Sequence, residues 1–177
     1  MPEKLSLRTL EEKDAHLMLE WMKDATIAHN FRFDVTAATL DSVLRFINSS
    51  KNMDVDAHFA IVNETDEYLG TVSLKNIDND VKSAEYAISL RKTAQGCGFG
   101  YLATVEILEH AFFSLGLRRV YLNVLSGNAA AIKFYENFGF ILEGEFLDHV
   151  FLRNEIHSLK WFRLMKSEYE TIKERKQ

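Results

Sequence analysis

The sequence predicts a mixed α/β (α+β) fold in which helices flank a central, mostly antiparallel sheet. The predicted order is strand, two helices, three strands, helix, strand, helix and two strands, which differs from the regular alternation of a doubly wound fold. The chain has 177 residues, enough for one domain with a substantial core and too few for two ordinary domains. We therefore expect a single domain over residues 1–177 that ends in a charged helical tail, about residues 166–177.

The first third of the chain predicts one strand and two helices. Residues 4–10 alternate between apolar and polar side chains, which is typical of a strand. Apolar residues then recur at helical spacing from Asp14 to Met22, and Asp14 is the expected N-cap. The same spacing returns over residues 36–50, so we expect a second helix that ends near Ser49.

The middle of the chain changes to a β pattern. Residues 58–63 and 68–76 are rich in β-branched and aromatic residues and are separated by "ETDE", which predicts a hairpin. A third β-rich run covers Ser83–Leu90. Apolar residues at helical spacing over residues 102–115 predict the next helix, which we expect to end at Gly116.

The last third predicts a buried strand, a helix and a hairpin. Residues 118–125 predict a strand of the buried kind, and residues 128–138 predict a helix that ends at Gly139. Residues 144–165 alternate again, and we expect two strands there joined around Asn154.

Composition excludes several classes of protein. With 21 basic and 26 acidic residues the formal net charge is −5, which argues against a general nucleic-acid binder. No apolar run approaches the ~20 residues of a membrane span, and the N-terminal residues lack the apolar core of a signal peptide. The single cysteine, Cys97, cannot form an internal disulfide or a Cys-rich metal site. We expect a cytoplasmic protein that interacts with neither membranes nor nucleic acid and holds no metal.

Three of the eight glycines fall within "QGCGFG", between a predicted strand and a predicted helix. Backbone N–H groups at a helix N-terminus can bind a phosphate, and glycines let that backbone approach it closely. A glycine-rich turn without any ligand is an equally good interpretation of this stretch taken alone. The stretch is neither a P-loop, because no Gly-Lys-Ser/Thr follows, nor G-x-G-x-x-G, because the glycines are Gly96, Gly98 and Gly100.

A second cluster lies in "NVLSGNAAAIKFYENFGF". Asn123 is near the end of a predicted strand, Asn128 begins the next helix, and Tyr135 lies about two turns further on roughly the same face. Taken singly, an Asn at a helix start is an N-cap and a Tyr on an apolar helical face belongs to the core.

Together the two clusters resemble the GNAT superfamily of acyl-CoA-dependent N-acetyltransferases. Gln95-x-x-Gly98-x-Gly100 is similar to that family's pyrophosphate loop, and N-x-x-A-I-x-x-Y-E-x-x-G-F follows at the expected distance. The resemblance is strongest over residues 84–145. It implies a GNAT fold, in which a splay between two parallel strands, here Ser83–Leu90 and Arg119–Leu125, admits the pantetheine arm of acetyl-CoA.

The resemblance also implies a set of acetyl-CoA-binding residues. Backbone groups of the strand before the loop would pair with pantetheine, and loop N–H groups would hold the pyrophosphate. The expected residues are Ile88, Ser89, Leu90, Gln95, Gly96, Cys97, Gly98, Phe99, Gly100, Tyr101, Asn123, Asn128, Ala131 and Tyr135.

The implied chemistry is direct attack of a neutral amine on the thioester. By resemblance Tyr135 is the general acid at the CoA sulfur, since a Tyr hydroxyl keeps its proton at neutral pH. Glu85 is either the base that deprotonates the amine through water or a polar residue on a half-exposed strand. His149 and His157 are further candidates for the base, although a lone His on a strand is more often structural. We do not expect Cys97 to be a nucleophile, because no His partner is indicated.

Two segments, residues 20–34 and 151–165, are expected to select the acceptor. The candidate residues for recognition of the acceptor are Trp21, His29, Phe31, Arg32, Phe33, His149, Phe151, His157 and Trp161. Arg32 between two Phe residues would suit the base and phosphates of a nucleotide-linked amino sugar, which we expect as the acceptor. The alternative, that the two Phe side chains are core and Arg32 is surface, stays open.

Other acceptors and another class of protein also fit the sequence. A polyamine such as spermidine would favour an acidic pocket, for which Asp14, Glu20, Asp24 and Asp34 are available, and a ribosomal-protein N-terminus is a further alternative acceptor. A non-catalytic acyl-CoA-binding module of the same fold is the alternative class, and the presence of Tyr135 speaks against it. The apolar residues of the C-terminal hairpin either form a homodimer interface or close this chain's own core. They are Phe146, Val150, Phe151, Trp161 and Phe162.

Overall fold

The computed structural model describes residues 4–31 and 34–175 as a seven-stranded sheet covered by helices on both faces. The strand order is β1-β2-β3-β4-β5-β7-β6, and every neighbouring pair is antiparallel except β4 with β5. This confirms the predicted fold class. The strands are β1 Leu5–Thr9, β2 Ala57–Asn63, β3 Tyr68–Asp78, β4 Ser83–Leu90, β5 Arg119–Leu125, β6 Ile141–Leu152 and β7 Glu155–Met165.

The α-helices are α1 Ala15–Lys23, α2 Ala25–Ala28, α3 Leu40–Ser49, α4 Phe99–Glu109, α5 Ala129–Phe138 and α6 Lys166–Glu174. Helix α4 begins three residues earlier than the sequence predicts and continues into a π-helical turn, His110–Ser114. Helix α2 is not predicted from the sequence, because four residues are too few to show a period. No helix within the described part of the chain is long and apolar enough to cross a membrane.

Two apolar cores lie on opposite faces of the sheet. In β2, Ile61 belongs to the core beneath α4 and α5, whereas its neighbours Ala60 and Val62 belong to the core beneath α1 and α3. Successive side chains of a strand point to opposite faces, so the two cores are separated by the sheet. Ile107 of α4 and Ile47 of α3 are both 0% exposed and mark the two layers of helices.

The parallel strands β4 and β5 separate after three residue pairs. Ser83 pairs with Arg119, Ala84 with Val120 and Glu85 with Tyr121, although β4 continues to Leu90 and β5 to Leu125. The two strands therefore form a V whose apex lies at Glu85. This is the splay that the family resemblance implies.

Asp14 occupies the predicted N-cap position of α1, but the expected side-chain cap of this helix is absent. Its side chain makes no capping hydrogen bond and instead accepts two bonds from the Arg8 guanidinium, both 2.8 Å, and one from the backbone N–H of Glu11 at 2.9 Å. Arg8 lies on β1 and its charge competes successfully with the neutral N–H groups of the helix. A single turn of 3₁₀ helix, Glu12–Asp14, therefore precedes α1.

Candidate active site

The glycine-rich loop connects the 3₁₀ turn Lys92–Ala94 to α4. Gly98 lies directly before the helix with φ 86°, a left-handed conformation that favours glycine, and a Cβ placed there would meet nothing within 4 Å. The surface in front of the helix N-terminus is therefore open, and the first N–H groups of α4 have no partner inside the helix. Gln95 closes the loop onto the preceding strand, because its Nε2 donates to the carbonyl of Leu90 at 3.1 Å. Cys97 is exposed on this loop.

One edge of β4 is occupied and the other faces the splay. Ile88, Ser89 and Leu90 pair with β3, but lie beyond the three residue pairs that join β4 to β5. All three residues are half-buried. An extended ligand inserted into the V could therefore pair with this edge of β4 as an added strand does.

The N-terminus of α5 lies at the end of β5. Asn128 is the N-cap of this helix, since its Oδ1 accepts from the backbone N–H of Ala131 at 3.2 Å. Ala131 is half-buried beside it in the first turn. The ordinary interpretation of Asn128 as a cap therefore holds, and its expected contact with the cofactor stays a prediction.

Tyr135 lies on the face of the sheet that carries α5. Its side chain is 8% exposed, and its ring centre lies 6.1 Å from that of Tyr86, 5.7 Å from Phe140 and 6.2 Å from Phe162. Burial among these rings raises the pKa of the Tyr135 hydroxyl above its usual value of 10.0. The hydroxyl is therefore protonated at neutral pH, as a general acid has to be.

Glu85 lies at the apex of the splay and is 7% exposed, not half-exposed. Its Oε1 accepts from Lys75 Nζ at 3.1 Å and from Asn123 Nδ2 at 3.3 Å, and its Oε2 accepts from Asn76 Nδ2 at 3.0 Å. These donors fix the orientation of a buried carboxylate that would otherwise be costly to remove from water. The interpretation of Glu85 as a polar residue on a half-exposed strand therefore fails.

Lys75 and Asn76 are two site residues that the sequence does not predict. Both reach Glu85 through the β3–β4 hairpin, in which Lys75 stands directly opposite Glu85. The β patterns of the two strands are visible in the sequence, but the register that brings these side chains together depends on where the hairpin irregularity falls, between Lys75 and Asp78.

Glu85 and Tyr135 lie on opposite faces of the splayed sheet. Glu85 and Tyr86 are consecutive in β4, so their side chains point to opposite faces, and Tyr135 packs against Tyr86. A thioester between the strands would therefore have the carboxylate on one side and the hydroxyl on the other.

The segment after α1 and the tip of the β6–β7 hairpin, both of which the sequence analysis assigns to acceptor selection, are in contact. Arg153 donates to the carbonyls of His29 at 2.7 Å and of Phe31 at 3.3 Å. Trp21 stacks on Phe31 with ring centres 5.0 Å apart and is 4% exposed, so it belongs to the core. Arg32 and Phe33, on which the amino-sugar expectation depends, lie outside the described residues.

The four acidic residues considered for a polyamine pocket are each held by a different group. Asp14 binds Arg8, Glu20 binds Arg91 at 3.0 Å, and Asp24 and Asp34 accept from backbone N–H groups two residues ahead in the chain. The structure therefore gives no acidic cluster of these four. In the part of the chain that is described, no group of three or more His, Cys, Asp and Glu residues is suited to a metal.

The C-terminal hairpin divides its apolar residues between two environments. Phe162 is 0% exposed and belongs to the core, and Trp161 and Val150 are half-buried. Phe146 and Phe151 are 48% and 68% exposed and lie on the outermost strand of the sheet. The hairpin thus both closes this chain's core and presents an apolar outer surface.

The chain belongs to the acetyltransferase (GNAT) family, whose domain model matches residues 4–141. It is an acetyl-CoA-dependent N-acetyltransferase, not a non-catalytic module. It is 25% identical to the spermidine N(1)-acetyltransferase of Vibrio cholerae, over 96% of this chain and 97% of that protein. It is 28% identical to the uncharacterized N-acetyltransferase p20 of Bacillus licheniformis, over 94% and 96% of the two chains.

Solved structures agree with this assignment. The crystal structure of spermidine N-acetyltransferase from Vibrio cholerae in complex with CoA and spermine superposes with a TM-score of 0.86 at 25% identity. The superposition covers 94% of this chain and 98% of the other. A dodecameric structure of spermidine N-acetyltransferase from Vibrio cholerae gives a TM-score of 0.78 at 25% identity, covering 93% and 95%.

Proposed function

We propose that the acceptor is a linear polyamine of the spermidine class, which the enzyme converts to its N-acetyl derivative with release of CoA. The observation that carries this proposal is the agreement in fold over nearly the whole chain with a spermidine acetyltransferase, at a TM-score of 0.86. The nucleotide-linked amino sugar expected from the sequence is not supported by the relatives, and the polyamine alternative fits them better.

Glu85 is assigned the removal of a proton from the amine, directly or through a water molecule. The neutral nitrogen attacks the thioester carbonyl, the C–S bond breaks, and the departing thiolate takes a proton from Tyr135. The hydrogen bonds from Lys75 and Asn76 support this role, because they hold the carboxylate at the apex of the splay in one orientation.

Tyr135 is assigned the protonation of the CoA sulfur. Its high pKa makes it a weak acid towards water, but the burial that raises the pKa also removes competing solvent from the reacting atoms. Because Tyr135 and Glu85 face opposite sides of the splay, the amine and the leaving group approach the carbonyl from different sides. The group that accepts the proton of the amine and the group that donates a proton to sulfur are therefore different side chains on different sides of the reacting carbon.

Acetyl-CoA is assigned to the V and to the glycine-rich loop. Backbone groups of Ile88, Ser89 and Leu90 pair with pantetheine, and the N–H groups of the loop and of the first turn of α4 bind the pyrophosphate. The open space in front of Gly98 supports this assignment. Asn128 and Ala131 line the cofactor arm from the start of α5.

The enzyme is further proposed to form homo-oligomers through the outer surface of β6 and β7. Phe146, Leu147, Phe151 and Ile156 are 48–75% exposed there. Several large apolar side chains exposed on one hairpin favour an interface over a free surface. The dodecameric assembly of the Vibrio cholerae relative is in keeping with this proposal, and light scattering of the purified protein measures the oligomeric state.

The first test compares acceptors by following release of the CoA thiol. Spermidine and spermine, a UDP-linked 4-amino sugar and peptides with free N-termini are assayed side by side at equal concentration. We expect turnover with the polyamines at a kcat/KM at least ~10²-fold above the other two classes. Turnover with the sugar or the peptide alone contradicts the polyamine assignment and leaves the acetyltransferase assignment in place.

A further inference from the structure

Four buried side-chain atoms are left without a hydrogen-bond partner in residues 4–31 and 34–175, and all lie on β5, on β7 or next to them. They are Asn123 Oδ1, Ser126 Oγ, His157 Nε2 and Trp161 Nε1. A buried polar atom without a partner costs free energy, and in native proteins such atoms are few and call for an explanation. Four of them on two adjacent strands indicate a place where a bound molecule supplies the partners.

The orientation of Asn123 connects this cluster to Glu85. A carboxylate only accepts hydrogen bonds, so the Asn123 amide must direct its NH₂ group at Glu85, 3.3 Å away. The amide oxygen then points away from Glu85 but stays within a few ångströms of it. A nitrogen that donates to this oxygen is therefore within reach of the carboxylate.

The strand register shows how the cluster extends away from Glu85. Asn123 pairs with Trp161 and Leu125 with Leu159, while the N–H of Ser126 donates to the carbonyl of Ser158 at 2.9 Å. His157 is four residues from Trp161 along β7, which is ~13 Å at ~3.3 Å per residue. The cluster forms a row that starts beside the proposed base and ends towards the tip of the hairpin.

Three of the four atoms match a ligand that donates hydrogen bonds, whereas Trp161 Nε1 is itself a donor. The oxygens of Asn123 and Ser126 accept hydrogen bonds, and so does His157 Nε2 when that nitrogen carries no proton. Glu155 Oε2 lies 4.0 Å from His157 Nε2, too far for a hydrogen bond but near enough to attract a cation. The Trp161 ring lies at the Asn123 end of the row, 6.1 Å from the Tyr121 ring and 5.4 Å from the Phe146 ring, and offers an apolar wall to methylene groups.

We propose that this row, here named the β5–β7 polar row, selects linear amines that carry a second nitrogen. The reacting nitrogen donates to Asn123 Oδ1 beside Glu85, and a nitrogen further along the chain donates to Ser126 Oγ and His157 Nε2. Asn123 is thereby assigned to the acceptor and not, as the sequence resemblance implies, to acetyl-CoA. The proposal rests on the proposed polyamine function and names the residues that recognise the length of the acceptor.

The test compares linear diamines of increasing length with monoamines of equal length. In the Ser126→Ala and His157→Phe variants we expect KM for the preferred diamine to rise about tenfold, as for loss of a hydrogen bond to a charged group. The monoamine and acetyl-CoA are the internal comparisons: their KM values are expected to change much less than KM for the diamine, because neither substrate places a second nitrogen at Ser126 and His157. Ser114→Ala and His16→Phe are matched controls at exposed positions on other elements.

The outcomes distinguish failure of the β5–β7 polar row from failure of the proposed polyamine function. An equal effect of both variants on diamines and monoamines, or no effect on either, overturns the row while turnover with polyamines leaves the function intact. Calorimetry with CoA present gives a readout without turnover: diamine binding that is weakened by both variants supports the row even where the reactive amine proves to be of another class. Ser126→Ala removes only one side-chain oxygen, directly after β5. If His157→Phe folds poorly, the comparison of diamine with monoamine is still made with Ser126→Ala.

Discussion

Gly70 of β3 lies so close to Ser89 of β4 that a Cβ on Gly70 would be 2.2 Å from the Ser89 carbonyl oxygen. The atom in the way belongs to the backbone, so it cannot move aside as the end of a side chain can. Ser89 is on the part of β4 assigned to pantetheine. The position of that edge therefore depends on the absence of a side chain on the neighbouring strand.

Replacing Gly70 by Ala is expected to displace β4 away from β3 and into the splay. We expect acetyl-CoA affinity to fall at least ~10-fold and the melting temperature to drop by several degrees, since overpacking costs about 1–3 kcal/mol. Calorimetry and thermal unfolding measure the two effects. Gly144→Ala on β6 is the control, because a Cβ there meets nothing within 4 Å; equal behaviour of the two variants would contradict the prediction.

Replacing Tyr135 by Phe removes the hydroxyl and keeps the packing of the ring against Tyr86 and Phe162. Turnover is expected to fall by ~10²-fold or more, because the thiolate then leaves without a proton donor. Acetyl-CoA affinity is expected to stay within about twofold of the wild type, since the ring makes the contacts. Unchanged kcat would remove Tyr135 from the mechanism.

Replacing Gly98 by Val is expected to weaken acetyl-CoA binding, both because φ 86° strains a β-branched residue and because its side chain would occupy the space in front of α4. Gly116→Val is the control for backbone strain alone. Gly116 has φ 65°, lies beyond the C-terminal end of the same helix, and has nothing within 4 Å of a Cβ. We expect about tenfold weaker binding for Gly98→Val than for Gly116→Val. Equal affinities in a calorimeter would show that the loop is a turn and no phosphate cradle.

The hydrogen bonds between Glu109, at the end of α4, and α6 are expected to make the stability of the protein depend on pH. Desolvation raises the pKa of Glu109, but hydrogen bonds from Lys173 and Tyr169, at 2.8 Å each, outweigh it and lower the pKa below the usual 4.5. The stability that Glu109 contributes is therefore fully present above about pH 4.5 and is lost as the pH falls through the lowered folded-state pKa. Thermal unfolding between pH 7 and pH 3 should show a smaller acid-dependent loss in Glu109→Gln than in the wild type.

A residue of this site can be predicted from the sequence when its position follows from a local pattern, and cannot when its position depends on the register between strands. The splay strands, the loop at Gly98 and the helix that carries Tyr135 follow from local patterns and from motif order. Asp14 stands at the N-cap position that the local pattern predicts, but its carboxylate binds Arg8 of β1 and not the N–H groups of the helix, which the local pattern does not show. Lys75 and the close approach of Gly70 depend on register between strands, which a single sequence does not encode in any local pattern.

The short parallel contact between β4 and β5 divides the sheet into a four-stranded part and a three-stranded part that share only three residue pairs. The open edges of such a sheet gain hydrogen-bond partners only when a ligand lies along them. Bound acetyl-CoA would therefore hold the two parts of the sheet together as well as react. At 100 times its dissociation constant a ligand of this kind adds about 2.7 kcal/mol to the free energy of unfolding. An enzyme built this way is most resistant to heat and proteolysis when its acetyl donor is abundant, so its lifetime would follow the supply of its own co-substrate.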